Sequence, residues 1–164
     1  MQIKELIKTL ESNKDFKNWK KTHKIDYLVH IFKMVDETNK DLWQIGYYNK
    51  EEDQITTCIL EKDKVQIVPE TEIFRKEKHV IKKLNLTKIK VDFEKALEKA
   101  LALQKKEYQA EKPIKIIAIL QHLDQQLWNI TFVTISFKTL NIKINAETGE
   151  IKSHDLKSLV DFKK

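Results

Sequence analysis

Two parts of the sequence carry the same pattern of apolar and aromatic residues. The segment from Ile25 to Asp36 matches the segment from Pro113 to Asp124, and each is followed by a short polar stretch and a tryptophan strand. Internal similarity of this kind is typical of a supersecondary unit that occurs twice in one chain. The pattern therefore predicts two copies of one unit.

Strands are predicted in both matching segments. The first segment resembles a helix when taken alone, but the second contains a run rich in β-branched residues, from Ile114 to Leu120, that follows Pro113, which favours a strand. Tyr27 to Val35 is therefore also predicted to be a strand. In the tryptophan segments, large apolar residues recur at every second position and should share one buried face. They are Trp43, Ile45, Tyr47, Trp128, Ile130 and Phe132.

Further alternating segments complete a four-stranded antiparallel meander in each half. Third strands are predicted at 55–59 and 140–144, and fourth strands begin near Val65 and Ile151. A turn at Thr148 and Gly149 precedes the last of them, because glycine readily takes the positive φ that such a turn requires.

Helices are predicted ahead of both groups of strands. Near the N-terminus, apolar residues recur at the spacing of one helix face. They are Ile3, Leu6, Ile7 and Leu10, with Phe16 and Trp19 after a polar break at Ser12 and Asn13. In the second half, Asp92 is predicted to cap a helix with an apolar side. That side carries Phe93, Ala96, Leu97, Ala100 and Leu101.

The predicted fold class is α+β, with two repeats of a helix packed on a four-stranded antiparallel meander. The predicted first repeat spans residues 1–70, a charged connecting segment spans 71–87, and the second repeat spans 88–164. Residue spacing leaves open whether the two sheets join or form separate lobes.

The second half resembles a PepSY-type domain. The resemblance depends on the helix from Phe93, the strand around Trp128 and the closing sequence INAETGEI at 144–151. Asn145 stands where the family usually has Asp, and the first half lacks the closing Thr-Gly. The resemblance implies a cystatin-like arrangement of helix on sheet and a non-catalytic module that contacts a protein partner or inhibits a peptidase.

The composition predicts a folded, cytoplasmic protein. Apolar residues make up 41% of the chain and charged residues 34%, and the formal charge is +6. The N-terminus places charges within any candidate signal core, and no later stretch is long and apolar enough to span a membrane. A single cysteine, Cys58, agrees with a reducing compartment.

No catalytic, cofactor-binding or metal-binding residue is predicted. The histidines lack the spacing of a zinc site, although His122 and Asp124 would share a strand face. Cys58 is predicted to point away from the core, at the place of Lys143 in the second half. Only Gly46 and Gly149 occur, so a glycine-rich phosphate loop is absent, and Gly46 is predicted to mark a bulge or a close packing contact.

A basic stretch is the candidate nucleic-acid contact. Its members are Lys14, Lys17, Lys20, Lys21 and Lys24, interleaved with Phe16 and Trp19. Lysines can follow phosphates while aromatic rings stack on bases. The competing interpretation is a solvated helix face whose two aromatic side chains turn inward.

The leading functional hypothesis is a non-enzymatic module that binds a protein or peptide partner through a sheet face, a sheet edge or a groove. Weak nucleic-acid binding through the lysine-rich face and small-molecule binding in a cavity between helix and sheet are the alternatives. The sequence gives no oligomeric state.

Overall fold

The computed structural model describes residues 2–36, 38, 42–69 and 80–159. The described residues form α-helices, β-strands and one short 3-10 helix, Leu86–Lys88. The helices are α1 (Ile3–Ser12), α2 (Lys14–Thr22) and α3 (Phe93–Glu107). The strands are β1 (Tyr27–Val35), β2 (Leu42–Asn49), β3 (Gln54–Glu61), β4 (Lys64–Pro69), β5 (Pro113–His122), β6 (Gln126–Thr134), β7 (Lys138–Asn145) and β8 (Ile151–Ser158).

All eight strands belong to one antiparallel sheet in the order β4-β3-β2-β1-β5-β6-β7-β8. Strands β1 and β5 pair directly, from His30 opposite Gln121 to Val35 opposite Ile116. The prediction of two repeats, each a helix on its own four-stranded meander, is therefore wrong: the chain is an α+β protein with a single sheet, and two helices precede β1. Alternation shows which side chains share a face but not which strand edges pair.

The strand and face predictions for the sheet centre are confirmed. Tyr27–Val35 is β1, and the alternating residues of both tryptophan strands are buried. Trp128, Ile130 and Phe132 are completely shielded from solvent. These side chains all point towards the helices, so this face of the sheet holds the core.

A single core extends across both halves of the chain. Residues of all three helices and of the helix-facing side of the sheet form one hydrophobic cluster. Phe93 of α3 contacts both tryptophans, with ring centroids 5.7 Å from Trp43 and 5.9 Å from Trp128. Asp92 precedes α3 as predicted, but its Oδ1 accepts a hydrogen bond from the backbone N–H of Ile3, 3.0 Å away, instead of capping α3.

Cys58 lies in the core, so the prediction that it points away from the core is wrong. Its side chain is completely buried, and it pairs across the sheet with Ile45. Ile142 pairs with Ile130 in the same way, so the matching residue of the second half is Ile142 and not Lys143. The two strands were matched with an error of one residue, which assigned Cys58 to the opposite face of the sheet.

Both glycines occupy the kinds of position that the sequence predicts. Gly149 has φ +76° in the turn before β8. Gly46 lies under the imidazole ring of His30, and a Cβ at Gly46 would come within 2.2 Å of that ring. The register of β1 against β2 also shifts between Leu28 and His30.

A buried carboxylate, that of Glu111, joins the start of β5 to the turn between β6 and β7. Glu111 is 5% exposed. Its carboxylate accepts hydrogen bonds from Lys138 Nζ at 2.7 Å, from Thr134 Oγ1 at 3.1 Å and from Ser136 Oγ. The bonds from Lys138, and then from Ser136, hold the pKa of Glu111 below its ordinary value.

Glu111 is expected to make folding stability depend on pH. Because its pKa is lower in the folded state, the stabilisation is present above the unfolded pKa of about 4.3 and is lost as the pH falls through the folded pKa. Glu111→Gln should reduce the free energy of unfolding by about 2 kcal/mol at pH 7 and by less near pH 3, as measured by urea denaturation. Glu98→Gln, at an exposed position on α3, is the control. A deficit that stays the same at both pH values would contradict this role.

Candidate functional site

A groove lies where α1 and α2 meet β1, β2 and the segment that follows residue 80. It has a volume of about 650 Å³ and continues into a depression of about 390 Å³ beside α2. The two share Glu11, Lys20 and Tyr47, so they form one trough, called here the lysine groove. Its walls are formed by Ile7, Glu11, Phe16, Lys17, Lys20, Lys21, Lys24, Asp26, Tyr27, Leu28, Tyr47, Lys83, Leu84, Asn85 and Leu86.

Backbone contacts at the end of the sheet position the groove walls. The side chain of Asn13 caps α2 by accepting hydrogen bonds from the backbone N–H groups of Asp15 and Phe16. On the opposite wall, the N–H of Leu84 donates to the carbonyl oxygen of Leu28 at 2.9 Å. Leu84 is buried, and the neighbouring Lys83 is exposed at the groove.

Lys20 is the structural lysine of the groove. Its Nζ donates to the carbonyl oxygens of His23, at 3.0 Å, and of Asp26. The same ammonium lies 5.4 Å from the ring centroid of Tyr47 and 5.7 Å from that of Trp19. Partial burial lowers the pKa of Lys20. Lys20 therefore holds the turn between α2 and β1, and it also places a positive charge on the groove floor.

The other predicted lysines divide between the groove and the outer surface. Lys17 and Lys21 line the depression beside α2, and Lys24 lines the main groove. Lys14 is exposed on the first turn of α2 and does not line the groove. The structure thus brings four of the five lysines to one trough.

The two aromatic residues of the basic stretch face inward. Phe16 is 4% exposed and lies 5.4 Å from Tyr47, measured between ring centroids. Trp19 is half-buried, and it stacks on His23 at 4.7 Å and contacts Tyr47 at 5.5 Å. The burial of Phe16 and the stacking of Trp19 on His23 leave less ring surface to stack on bases.

Neither Tyr47 of the groove nor Cys58 of the core ionises readily near neutral pH. Tyr47 is 5% exposed, and burial raises the pKa of its phenol. Cys58 lies in the core with Tyr47, and burial raises the pKa of its thiol to about 12. A thiol must ionise to act as a nucleophile, so Cys58 is inert near neutral pH.

Two groove residues were missed by sequence reasoning. Lys83 and Asn85 lie in the predicted connecting segment 71–87, of which 71–79 fall outside the described residues. Asn85 is tied to β6, since its backbone N–H donates to the side chain of Gln126 at 2.5 Å. This pairing and the hydrogen bond from Leu84 to Leu28 bring Lys83 to the groove, and charge content alone gave no signal of either contact.

His122 and Asp124 do not share a strand face as the sequence predicts. His122 ends β5, and its Nδ1 lies 2.9 Å from the carbonyl oxygen of Lys83, whereas Asp124 lies in the turn that follows. On the edge strand β8, His154 Nδ1 lies 2.5 Å from Tyr108 Oη, and Nε2 lies 3.7 Å from Glu107. Among the described residues, no group of three or more His, Cys, Asp and Glu side chains is placed to hold a metal ion.

No protein-family model and no curated protein matches the sequence. The fold is similar to that of a putative lipoprotein from Clostridium difficile 630. The TM-score is 0.58 and the sequence identity is 15%, over 87% of this chain and 90% of the other. At this identity the likeness shows the fold alone.

The expectation of a cytoplasmic protein is contradicted by this likeness and is not retained. The similar fold belongs to a putative lipoprotein, and the charge pattern and single cysteine behind the expectation describe composition without fixing a compartment. In the described part of the chain, no helix has both the length and the apolar character needed to cross a membrane.

Proposed function

We propose that this chain is a non-enzymatic binding module that takes an acidic, extended segment of a partner protein in the lysine groove. The observation that carries the proposal is the convergence of lysines on the trough between the helices and the sheet end. Five lysines line it, against the two carboxylates of Glu11 and Asp26. Asp26 is buried and accepts a hydrogen bond from Asn49 Nδ2 at 3.0 Å, so part of its charge is compensated within the protein.

The shape of the groove favours a peptide segment over a compact ligand. The main groove falls within the range of about 300–1,000 Å³ typical of ligand sites, but the depression beside α2 lengthens it into a trough. Apolar side chains such as Ile7, Leu28 and Leu86 line the groove together with the lysines. An extended acidic peptide, with apolar and charged side chains on opposite sides, matches this lining.

The same lining disfavours nucleic acid and catalysis. A single-strand binder combines basic residues with open aromatic faces, whereas Phe16 and Trp19 are packed inward. Among the described residues that line the groove, there is no histidine, cysteine or serine. Lys20, whose pKa is lowered, already donates hydrogen bonds to two backbone carbonyl oxygens. The PepSY-type resemblance of the second half agrees with contact to a protein partner.

Charge reversal at the groove rim is expected to weaken peptide binding about tenfold, which corresponds to about 1.4 kcal/mol. The variant Lys24→Glu/Lys83→Glu removes two exposed ammonium groups from opposite walls and leaves Lys20 in place. Binding is measured by fluorescence anisotropy with a labelled peptide of alternating Glu and Val. The affinity of the unaltered protein should fall as salt is added, because exposed charges are screened.

The matched control is Lys4→Glu/Lys8→Glu on the exposed side of α1. It makes the same change in net charge outside the groove, so it should leave the affinity within about twofold of the original. Equal loss in both variants would mean that overall charge attracts the peptide, and the groove would not be the site. Tighter binding of labelled oligothymidylate than of the peptide would favour the nucleic-acid alternative and overturn the proposal.

A further inference from the structure

The sheet has a second face that the helices do not cover. The helices pack on the side that carries Trp43, Ile45 and their neighbours. The strand register places the intervening residues on the opposite side, called here the open face. At its centre, Phe32 lies opposite Ile119 and Met34 lies opposite Ile117 across the β1 and β5 pair. These four residues form the central strip.

The central strip is apolar and belongs to neither the core nor its packed margin. All four side chains are partly exposed. None of them is among the buried core residues or the partly buried residues packed on that core. In a chain with 34% charged residues, an uncharged strip across two adjacent strands is a departure from the surrounding surface. Charge depletion at the centre of a patch is characteristic of protein interfaces.

Uncharged polar residues flank the central strip on both sides. Gln44 of β2 lies opposite Phe32, and Asn129 and Thr131 of β6 lie opposite Ile119 and Ile117. Asn141 Nδ2 donates to Asn129 Oδ1 at 2.5 Å and to Thr131 Oγ1 at 2.7 Å, which holds these side chains flat against the sheet. Charge lies at one end of the strip, where Lys115 Nζ is 3.9 Å from Asp36 Oδ2, and on the outer strands, at positions such as Lys143.

We propose that a second copy of this chain packs on the open face, sheet against sheet, to form a two-fold dimer. Eight strands at about 4.8 Å spacing give a sheet about 34 Å wide, and strands of about eight residues are about 26 Å long. The open face thus covers roughly 900 Å², close to the roughly 800 Å² per partner of a stable interface. Two sheets packed face to face bury their inner side chains in a layer about 10 Å thick.

The position of the central strip favours a second copy over an unrelated partner. The strip lies on β1 and β5, the middle pair of the eight strands. A two-fold axis through the middle of the face sets the strip of one copy against the strip of the other. The charged residues of the outer strands then lie towards the rim, and the ion pair of Lys115 with Asp36 lies at one end of the strip. Water at the rim screens the repulsion between two chains of net charge +6.

The test is the mass of the full chain by sedimentation equilibrium across a range of protein concentrations. The original protein is expected to be a dimer. Ile119→Asp should raise the dimer dissociation constant at least 100-fold, because it places a charge in the centre of the apolar contact. Ile135→Asp, at a position 53% exposed in the turn after β6, is the control and should leave the dimer intact.

Circular dichroism checks that Ile119→Asp remains folded. If it does not, Ile117→Thr keeps the β-branched shape and should still weaken the dimer at least tenfold. A monomer at every concentration tested would overturn the proposal. So would a dimer that the Ile119 and Ile117 variants leave unchanged, because that dimer would use another surface. The open face and the lysine groove lie on different sides of the sheet, so the dimer and peptide proposals can fail separately.

Discussion

Replacing Trp128 with alanine is expected to lower the free energy of unfolding by about 4 kcal/mol, a large share of the stability of an ordinary domain. The indole is completely buried in the middle of β6, so the change leaves a cavity that the surrounding strands cannot close. It also removes the hydrogen bond from Trp128 Nε1 to the carbonyl oxygen of Val91, 2.7 Å away, which fixes the chain just before α3. Urea denaturation followed by circular dichroism measures the effect.

The companion variant Trp128→Phe separates packing from hydrogen bonding. It keeps an aromatic ring in the core but leaves the carbonyl oxygen of Val91 without its indole donor, and it should lose about 2 kcal/mol. A loss of less than about 1 kcal/mol in the alanine variant would mean that this part of the core is not closely packed. The close packing of Trp128 in the core would then be wrong.

Leu120→Ala is expected to destabilise both halves of the chain together, by about 3 kcal/mol. Leu120 is completely buried at the centre of the sheet, where it lies opposite Ile31 in β1 and opposite Trp128 in β6. Fluorescence of variants that retain either Trp43 or Trp128 reports on the two halves. Each reporter variant is compared with and without Leu120→Ala. Because one sheet and one core span both halves, the free energy of unfolding should fall by the same amount in both reporter backgrounds.

The exposed residue Ile114 on the same strand provides the control. It is 61% exposed, so Ile114→Ala should change the stability by less than about 0.5 kcal/mol. If Leu120→Ala shifted the transition of the Trp128 reporter alone, the halves would unfold as separate units. That outcome would contradict a single cooperative sheet.

Local features of the fold were readable from the sequence because they depend on neighbouring residues. Alternation in the tryptophan strands placed Trp43 and Trp128 on the buried face, and the proline before the second matching segment identified β1 as a strand. The joining of β1 to β5 was not readable, because edge pairing depends on the complete fold and leaves no periodic signal. The same limit applies to Asp92, which bonds to Ile3 at the other end of the sequence.

Errors in register had larger consequences than errors in element type. Matching Cys58 with Lys143 instead of Ile142 is an error of one residue. In a strand, a shift of one residue moves a side chain from the core face of the sheet to the open face. The hydrophobic character of Cys58 itself was a usable signal, since unpaired cysteines are among the most buried residues.

The candidate site was predictable on one wall only. The lysines of α2 stand out as a basic stretch, and four of the five predicted lysines line the groove. The opposite wall is carried by Lys83 and Asn85, which reach the site through the pairing of Leu84 with Leu28 and of Asn85 with Gln126. Contacts between residues far apart in the sequence leave no local pattern, so this wall of the groove was found only in the structure.

Mapping the acidic peptide on the protein by NMR tests the central claim most directly. Isotope-labelled protein of residues 1–164 is titrated with the peptide of alternating Glu and Val, and amide shifts are followed residue by residue. We predict that the shifts concentrate around the lysine groove, in residues 17–28, around Tyr47 and in residues 83–86. Shifts confined to the open face or to the sheet edges, or none at about 1 mM peptide, would contradict it.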